Sequence, residues 1–142
     1  MKTYIPTEKD FNRKTYLIDA KGKTLGRLAT RAASLLIGKG KTVFTGDKLS
    51  GDQVVVVNAE KIYVTGKKKK DKTYKHYTGY PGGLRLYNFE KMIEEKPEEI
   101  IIRAISRMLP KNKLGSEMLR RLRVYAGPEH KQKAQKPEVI EI

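Results

Sequence analysis

The segment from Gly66 to Gly83 concentrates the residue types that bind phosphates and aromatic ligands. Its eighteen residues hold six lysines, one histidine and three tyrosines, and Asp71 is their only acid. Lysines supply positive charge for phosphates, tyrosine rings offer flat faces for stacking on bases, and glycines let a backbone approach a ligand closely. The alternative is a solvated lysine loop between two structural elements. The interleaved aromatic residues favour a nucleic-acid ligand.

Positive charge is concentrated in two stretches of the chain. The net charge is +15, from 31 Lys and Arg against 16 Asp and Glu. Residues 67–87 and residues 103–123 each hold seven Lys or Arg and one acid. Between them lie five glutamates, namely Glu90, Glu94, Glu95, Glu98 and Glu99. Since such an excess repels itself unless a polyanion neutralises it, the pattern predicts an RNA-facing side and an acidic side turned away.

Length and composition exclude several classes of protein. The 142 residues suit one domain over 1–142 with its own apolar core, and the absence of cysteine excludes disulfides, thiolate metal sites and cysteine nucleophiles. No apolar run approaches the roughly 20 residues that span a bilayer, and the first residues, MKTYIPTEKDF, lack the apolar core of a signal peptide. We expect a cytoplasmic protein with no membrane partner.

The first half of the chain reads as a strand–turn–helix unit of an α/β fold. Residues 16–20 (YLIDA) predict a strand, and Thr24 is placed to cap a helix that ends at Gly38 and Gly40. After a basic connection, residues 53–57 (QVVVV) form a continuous β-branched run. Such a run is typical of a central strand covered on both faces.

The second half predicts further short elements. We expect a strand over 61–65, a helix from Asn88 to Glu95, a helix over 98–108 with Pro97 at its start, a helix near 116–121 and a strand over 122–125. Residues 1–14 read as an arm, and residues 127–142 as an extended tail. We find no internal repeat.

Two Gly-Lys-Thr tripeptides invite a comparison with nucleotide-binding loops. They begin at Gly22 and Gly40. A phosphate-binding P-loop needs another glycine five positions earlier, where this chain has Leu17 and Leu35. Both matches therefore fail, which argues against an NTPase.

Metal binding and catalysis find equally little support. His76 and His130 are far apart in sequence, and neither has a second ligand at metal-binding spacing. The acids form no carboxylate pair or triad for general acid–base work. We predict no catalytic residue, no metal, no cofactor, no small-molecule substrate and no homo-oligomer.

The candidate RNA-binding residues are the cations and aromatics of the two basic stretches and of the segments around the first helix. Arg103 is left out, because Glu99 one helical turn earlier can pair with it. For His76 the alternative is an ordinary loop residue. The candidates are Lys23, Arg27, Lys39, Lys41, Lys67, Lys68, Lys69, Lys70, Lys72, Tyr74, Lys75, His76, Tyr77, Arg107, Lys111, Lys113, Arg120, Arg121 and Arg123.

The chain lacks the RNP1 aromatic pattern, a KH-type GXXG clamp and zinc-finger spacing. The residues alone therefore predict a basic α/β protein that binds structured RNA through its backbone and shape.

Several blocks of the sequence resemble the bacterial ribosomal protein L13 (uL13) family, in order and over nearly the whole chain. They are DAKGKTLGRLAT (19–30), GDQVVVVNAEKIYVTG (51–66), HYTGYPGG (76–83), MLPKNKLG (108–115), RVYAGPE (123–129) and AQKP (134–137). The resemblance implies a three-layer α/β/α fold around a small, mostly parallel four-stranded sheet. It also implies binding to 23S rRNA early in assembly of the large (50S) subunit, neighbouring large-subunit proteins as partners, and no catalysis.

Two positions depart from the family pattern. The chain has Asn112-Lys113 where the family commonly has Gly-Pro, and Lys131-Gln132 after His130 where the family often has a His-x-His pair. A free protein that regulates messenger RNA is the alternative function, because it needs the same basic surface.

Overall fold

The computed structural model describes residues 3–142, which form six β-strands and five α-helices. The strands are β1 Thr15–Asp19, β2 Gln53–Val57, β3 Thr73–Tyr77, β4 Leu84–Asn88, β5 Leu122–Val124 and β6 Glu138–Ile140. The helices are α1 Leu25–Ile37, α2 Lys68–Asp71, α3 Phe89–Glu95, α4 Pro97–Ser106 and α5 Lys113–Arg120.

A parallel sheet of four strands organises the fold, in the order β5-β2-β1-β6. All four valines of β2 are 5% exposed or less, so both faces of this strand are covered. This confirms the prediction that an unbroken β-branched run forms a central strand. The α/β class and the mostly parallel four-stranded sheet are also confirmed.

Helix α1 packs on β2 through an apolar face whose residues recur at helical spacing. Leu28, Ala29, Ala32 and Leu36 are fully buried, whereas Arg27 and Arg31 on the other face are exposed. Gly38 ends the helix in the left-handed conformation (φ 83°), which a residue without a side chain adopts without strain. The predicted helix and its end are confirmed, although the Thr24 side chain at its start makes no capping hydrogen bond.

Helices α3, α4 and α5 contribute the rest of the helical core. Helix α4 contacts α1, α3 and α5, and Ile100, Ile101 and Ile105 of α4 are fully buried. Pro97 is its first residue, as predicted. Helix α5 begins at Lys113, three residues before the predicted start.

Two predictions for the middle of the chain are wrong. Residues 61–65 form no strand, since Thr24–Tyr63 is their single bridge and the chain at Thr24 turns into α1 instead of continuing a ladder. The segment predicted as a lysine-tyrosine loop instead contains α2 and half of an antiparallel hairpin, in which β3 pairs with β4.

Both ends of the chain are more structured than predicted. Pro6 and Phe11 are buried, and a 3-10 turn covers Glu8–Asp10; Met1 and Lys2 of the predicted arm lie outside the described residues. The predicted tail carries the 3-10 turn Lys133–Gln135 and strand β6, which pairs with β1.

Candidate nucleic-acid interface

A groove of about 1050 Å³ lies between α1 and α4, with α2 and the segment 63–65 along its side. Six cationic side chains line it, and the lining includes no carboxylate. Two come from α1, two from α2 and the residue directly after it, and two from α4 and the residue directly after it. They are Arg27, Arg31, Lys68, Lys72, Arg103 and Arg107.

Spacing along the helices explains why these cations meet. Arg27 and Arg31 are four residues apart on α1, and Arg103 and Arg107 are four apart at the end of α4, so each pair lies on one helix face. Because α1 packs against α4, the two arginine pairs line the same groove. The charge along α4 changes sign, since the helix begins with Glu98 and Glu99.

Tyr74 lies within this site but cannot stack on a base. Its side chain is 4% exposed, and two cations flank the ring: Lys72 Nζ at 5.5 Å and Arg103 Cζ at 5.7 Å from the centroid. Burial raises the pKa of Tyr74 above 10.0, while Arg103 and Arg107 act in the opposite direction. The predicted stacking role is contradicted, and Tyr74 instead holds two groove cations in place by cation–π contact.

The lysine run of residues 67–72 divides between the groove and solvent. Lys68 and Lys72 line the groove, whereas Lys67, Lys69 and Lys70 are exposed outside it. A helical turn explains the division, since residues four apart lie on the same face and their neighbours do not. The run is therefore one wall of the groove with an additional charged outer surface.

The hairpin that follows separates the remaining candidates onto two faces. Lys75 and Tyr77 pair with Leu86 and Leu84 on the outer face, where Tyr77 is 63% exposed. His76 lies on the opposite face and lines a second cleft of about 370 Å³. Arg85 of β4 and residues of α3 and α4, including Glu95 and Glu99, form the rest of this cleft. The groove does not include His76.

Three predicted RNA-binding cations are bonded within the protein. Lys41 Nζ lies 2.5 Å from Asp52 Oδ1, and both side chains are largely buried. Lys23 Nζ donates to the Ile142 carbonyl at 2.6 Å, and the Arg121 guanidinium donates to the Gly51 carbonyl at 2.7 Å. Burial lowers the pKa of Arg121 below its ordinary value. The structure therefore places these three cations among the groups that hold the fold.

The other predicted residues are exposed but lie apart from the groove. They are Lys39 after α1, Lys111 and Lys113 at the start of α5, and Arg120 and Arg123 at its end. Arg123 also donates to the Arg120 carbonyl at 3.1 Å.

Sequence reasoning missed three groove residues: Arg31, Tyr63 and Arg103. The repeat of arginine at four-residue spacing on α1 was a usable signal for Arg31. The predicted pairing of Arg103 with Glu99 is present, with 3.0 Å between the guanidinium nitrogen and the carboxylate oxygen. The same arginine side chain nevertheless lines the groove. Tyr63 was assigned to a strand that does not form.

The profile described as ribosomal protein L13 matches residues 13–131. The chain belongs to the ribosomal protein L13 family. The large ribosomal subunit protein uL13 of Caldanaerobacter subterraneus is 52% identical over 142 residues, covering 100% of this chain and 99% of the relative. The uL13 protein of Clostridioides difficile is 56% identical over 140 residues, covering 99% of this chain and 98% of the relative. That of Alcanivorax borkumensis is 54% identical over 142 residues, covering 100% of both chains.

Membership in the L13 family confirms the prediction of a non-catalytic protein, because these relatives are ribosomal proteins and not enzymes. Within residues 3–142, no cluster of three or more His, Asp or Glu could hold a metal ion. In the same part of the chain, no helix is long and apolar enough to cross a membrane.

Both departures from the L13 family pattern take part in local hydrogen bonds. Asn112 caps α5, because its Oδ1 accepts from the Gly115 N–H at 2.8 Å. Gln132 Oε1 accepts from the Tyr125 hydroxyl at 2.5 Å, which ties the tail to the end of β5. Asn112 and Gln132 therefore stabilise the segments in which they lie.

Proposed function

We propose that this L13 family member is a structural constituent of the large ribosomal subunit that binds 23S rRNA early in assembly, in the cytoplasm. The groove between α1 and α4 is the main contact. The observation that carries the proposal is its lining, in which six cations from three helical segments meet without a carboxylate.

Phosphate neutralisation explains how such a surface would act. Arginine presents a planar fork that can bond two phosphate oxygens at once, and four of the six cations are arginines. Helices α1 and α4, which carry or adjoin the four arginines, are fixed by a buried core, so the backbone that positions these arginines is in place before RNA arrives. Binding would then hold an rRNA junction in one geometry, which suits a protein that joins early in assembly.

Salt dependence tests the proposal directly. Each neutralised phosphate contributes a slope of about 0.7–0.9 to the fall of log K with log salt. With about five or six phosphates bound, we expect a slope of about 4–5 for 23S rRNA in filter binding. A nearly flat response would refute binding by charge neutralisation.

The lysine run offers a finer test. Lys68→Ala together with Lys70→Ala should weaken binding and reduce the salt slope without unfolding the protein. Of the single variants, Lys68→Ala should reduce the slope by about 0.7–0.9 and Lys70→Ala by less, because only Lys68 lines the groove. Lys131→Ala with Lys133→Ala, two exposed lysines of the tail, is the matched control. Equal effects of Lys68 and Lys70 would show that position in the groove does not matter.

Sedimentation separates this function from regulation of messenger RNA. The protein should be found in 50S fractions of a cell lysate. A protein found mainly outside these fractions would favour the regulatory function.

A further inference from the structure

The groove has an apolar floor between its cationic rims. Leu25 and Ile100 are buried beneath it, so its accessible apolar surface comes from the half-buried Ala104 and from Met108. Met108 is 44% exposed, and its sulfur lies 3.7 Å from the Thr30 hydroxyl on α1, so α1 and the end of α4 meet at this point. A surface that bound phosphates alone would need the rims but not this floor.

A tyrosine lies beside the floor in a fixed position. Tyr63 lines the groove and is 54% exposed. Its backbone is held by two hydrogen bonds, from its N–H to the Lys23 carbonyl and from the Leu25 N–H to its own carbonyl, both at 3.0 Å. The ring therefore offers an aromatic surface next to the start of α1.

Gly26 keeps space open in the same groove. It lies in the first turn of α1, and a Cβ built on it meets no atom within 4 Å apart from its own helix. Its φ is not positive, so neither backbone conformation nor packing requires glycine, although alanine would favour the helix more. Close approach of a ligand gives this glycine a physical reason.

We propose that the groove binds an unpaired segment of RNA, with phosphates on the cationic rims and a base against Tyr63 and the apolar floor. The inference rests on the proposed function and specifies the form of RNA that the groove takes. An A-form duplex presents phosphates and 2′-hydroxyls and keeps its base faces stacked inside, so it cannot use the floor. Charge complementarity selects a polyanion, which the proposed function identifies as RNA, and the floor selects an unpaired strand.

The first experiment compares single-stranded with duplex RNA. The probes are a fluorescently labelled 12-nucleotide oligo(U) and a 12-base-pair RNA duplex, measured by anisotropy at one salt concentration. The single strand should bind at least about tenfold more tightly, although the duplex carries more charge. Tighter binding of the duplex, or equal binding, would overturn the inference.

Tyr63→Leu tests stacking apart from charge. The variant should lose about 5- to 100-fold in affinity for oligo(U), with an unchanged salt slope because no phosphate contact is lost. Tyr80→Leu is the matched control, since Tyr80 is 74% exposed and lies outside the groove lining. Equal effects of the two substitutions would contradict a base at Tyr63.

Gly26→Ala tests the space that glycine leaves. The variant should raise Tm by about 1–3 °C, because alanine favours the helix, and should nevertheless weaken oligo(U) binding. Gly26→Leu should weaken it further. Gly46→Ala is the control, since its Cβ would also meet no atom within 4 Å, but Gly46 is outside the groove. Unchanged RNA affinity in both Gly26 variants would overturn the inference.

Binding to intact 23S rRNA separates the two proposals. A wild-type protein that does not bind 23S rRNA would refute the proposed function. A wild type that binds it, with Tyr63 and Gly26 variants that bind equally well, would leave that function intact and refute the unpaired-strand site.

Discussion

The two ends of α1 serve different purposes. At the C-terminal end, a Cβ on Gly51 would lie 1.6 Å from the Leu36 carbonyl oxygen, and the Asp52 N–H donates to the Leu35 carbonyl at 3.0 Å. At the N-terminal end, Gly26 faces open space and Arg27 is exposed. The C-terminal end of α1 is therefore closely packed and stabilises the fold. Its N-terminal end is open and available to a ligand.

Cations and acids differ between the two ends in the same way. Near the C-terminal end, Asp52 is 3% exposed and accepts hydrogen bonds from Lys41 and from the Lys14 N–H. Toward the N-terminal end, Arg27 and the mid-helix Arg31 have no salt-bridge partner among residues 3–142. A lysine or arginine paired with a buried carboxylate therefore stabilises the fold, whereas one without such a partner is available to bind a ligand.

The largest effect is expected for Gly51→Ala. The added methyl group would overlap the backbone of α1, which cannot move without shifting the helix from the sheet. We expect a loss of more than about 3 kcal/mol in the free energy of unfolding, measured by urea denaturation. Gly26→Ala at the other end should be slightly stabilising. Similar losses in the two variants would abolish the contrast between the ends.

Lys41→Met should have the next largest effect. It leaves the buried Asp52 carboxylate without its cation, so we expect a loss of about 2–4 kcal/mol in the free energy of unfolding. Lys39→Met is the matched control, because Lys39 is an exposed cation two residues away. If Lys41→Met instead weakened RNA binding and left stability unchanged, Lys41 would belong with the groove cations.

The smallest effect concerns Asp19 at the end of β1. Hydrogen bonds from the Lys21 N–H (2.9 Å) and then from Asn58 Nδ2 (2.8 Å) lower the pKa of Asp19 below 3.8. Because the native pKa is the lower one, this stabilisation is present above pH 3.8 and is lost as the pH falls through the native pKa. Since the side chain is exposed, we expect only about 0.5 kcal/mol.

Urea denaturation of wild type and Asp19→Asn between about pH 2 and pH 6 checks this expectation. The stability difference should shrink toward the acidic end of the range. A difference that does not change with pH would mean that Asp19 contributes by packing and not by its charge.

Local patterns predicted the elements with strong periodicity. The buried stripe of α1, the valines of β2 and Pro97 at the start of α4 follow from spacing and backbone preference, and all are confirmed. The hairpin β3–β4 and strand β6 were missed, because β3 mixes tyrosines with Lys75 and His76, β6 has only three residues, and the pairing of all three strands depends on contacts outside the segment. The 61–65 segment has strand-forming residues, yet no neighbouring strand continues beside it.

The candidate site was predictable in charge but not in arrangement. Sequence identified the cationic stretches that contribute Lys68, Lys72 and Arg107 to the groove. It could not show that Lys41 pairs with Asp52 or that the Tyr74 ring is buried, because both depend on tertiary packing. A lysine paired with a buried carboxylate and a lysine exposed to solvent cannot be told apart in the sequence.

The pairing of β6 with β1 has a consequence for folding and solubility. Tyr16 pairs with Glu138 and Ile18 with Ile140, so this contact joins residues more than a hundred positions apart. Such distant pairing forms slowly, because a long loop must close first. Until β6 arrives, β1 is an open sheet edge whose free N–H and C=O groups would accept a strand of another chain. Strand β6 therefore closes the β1 edge only late in folding, and it leaves an edge of just three residues in its place.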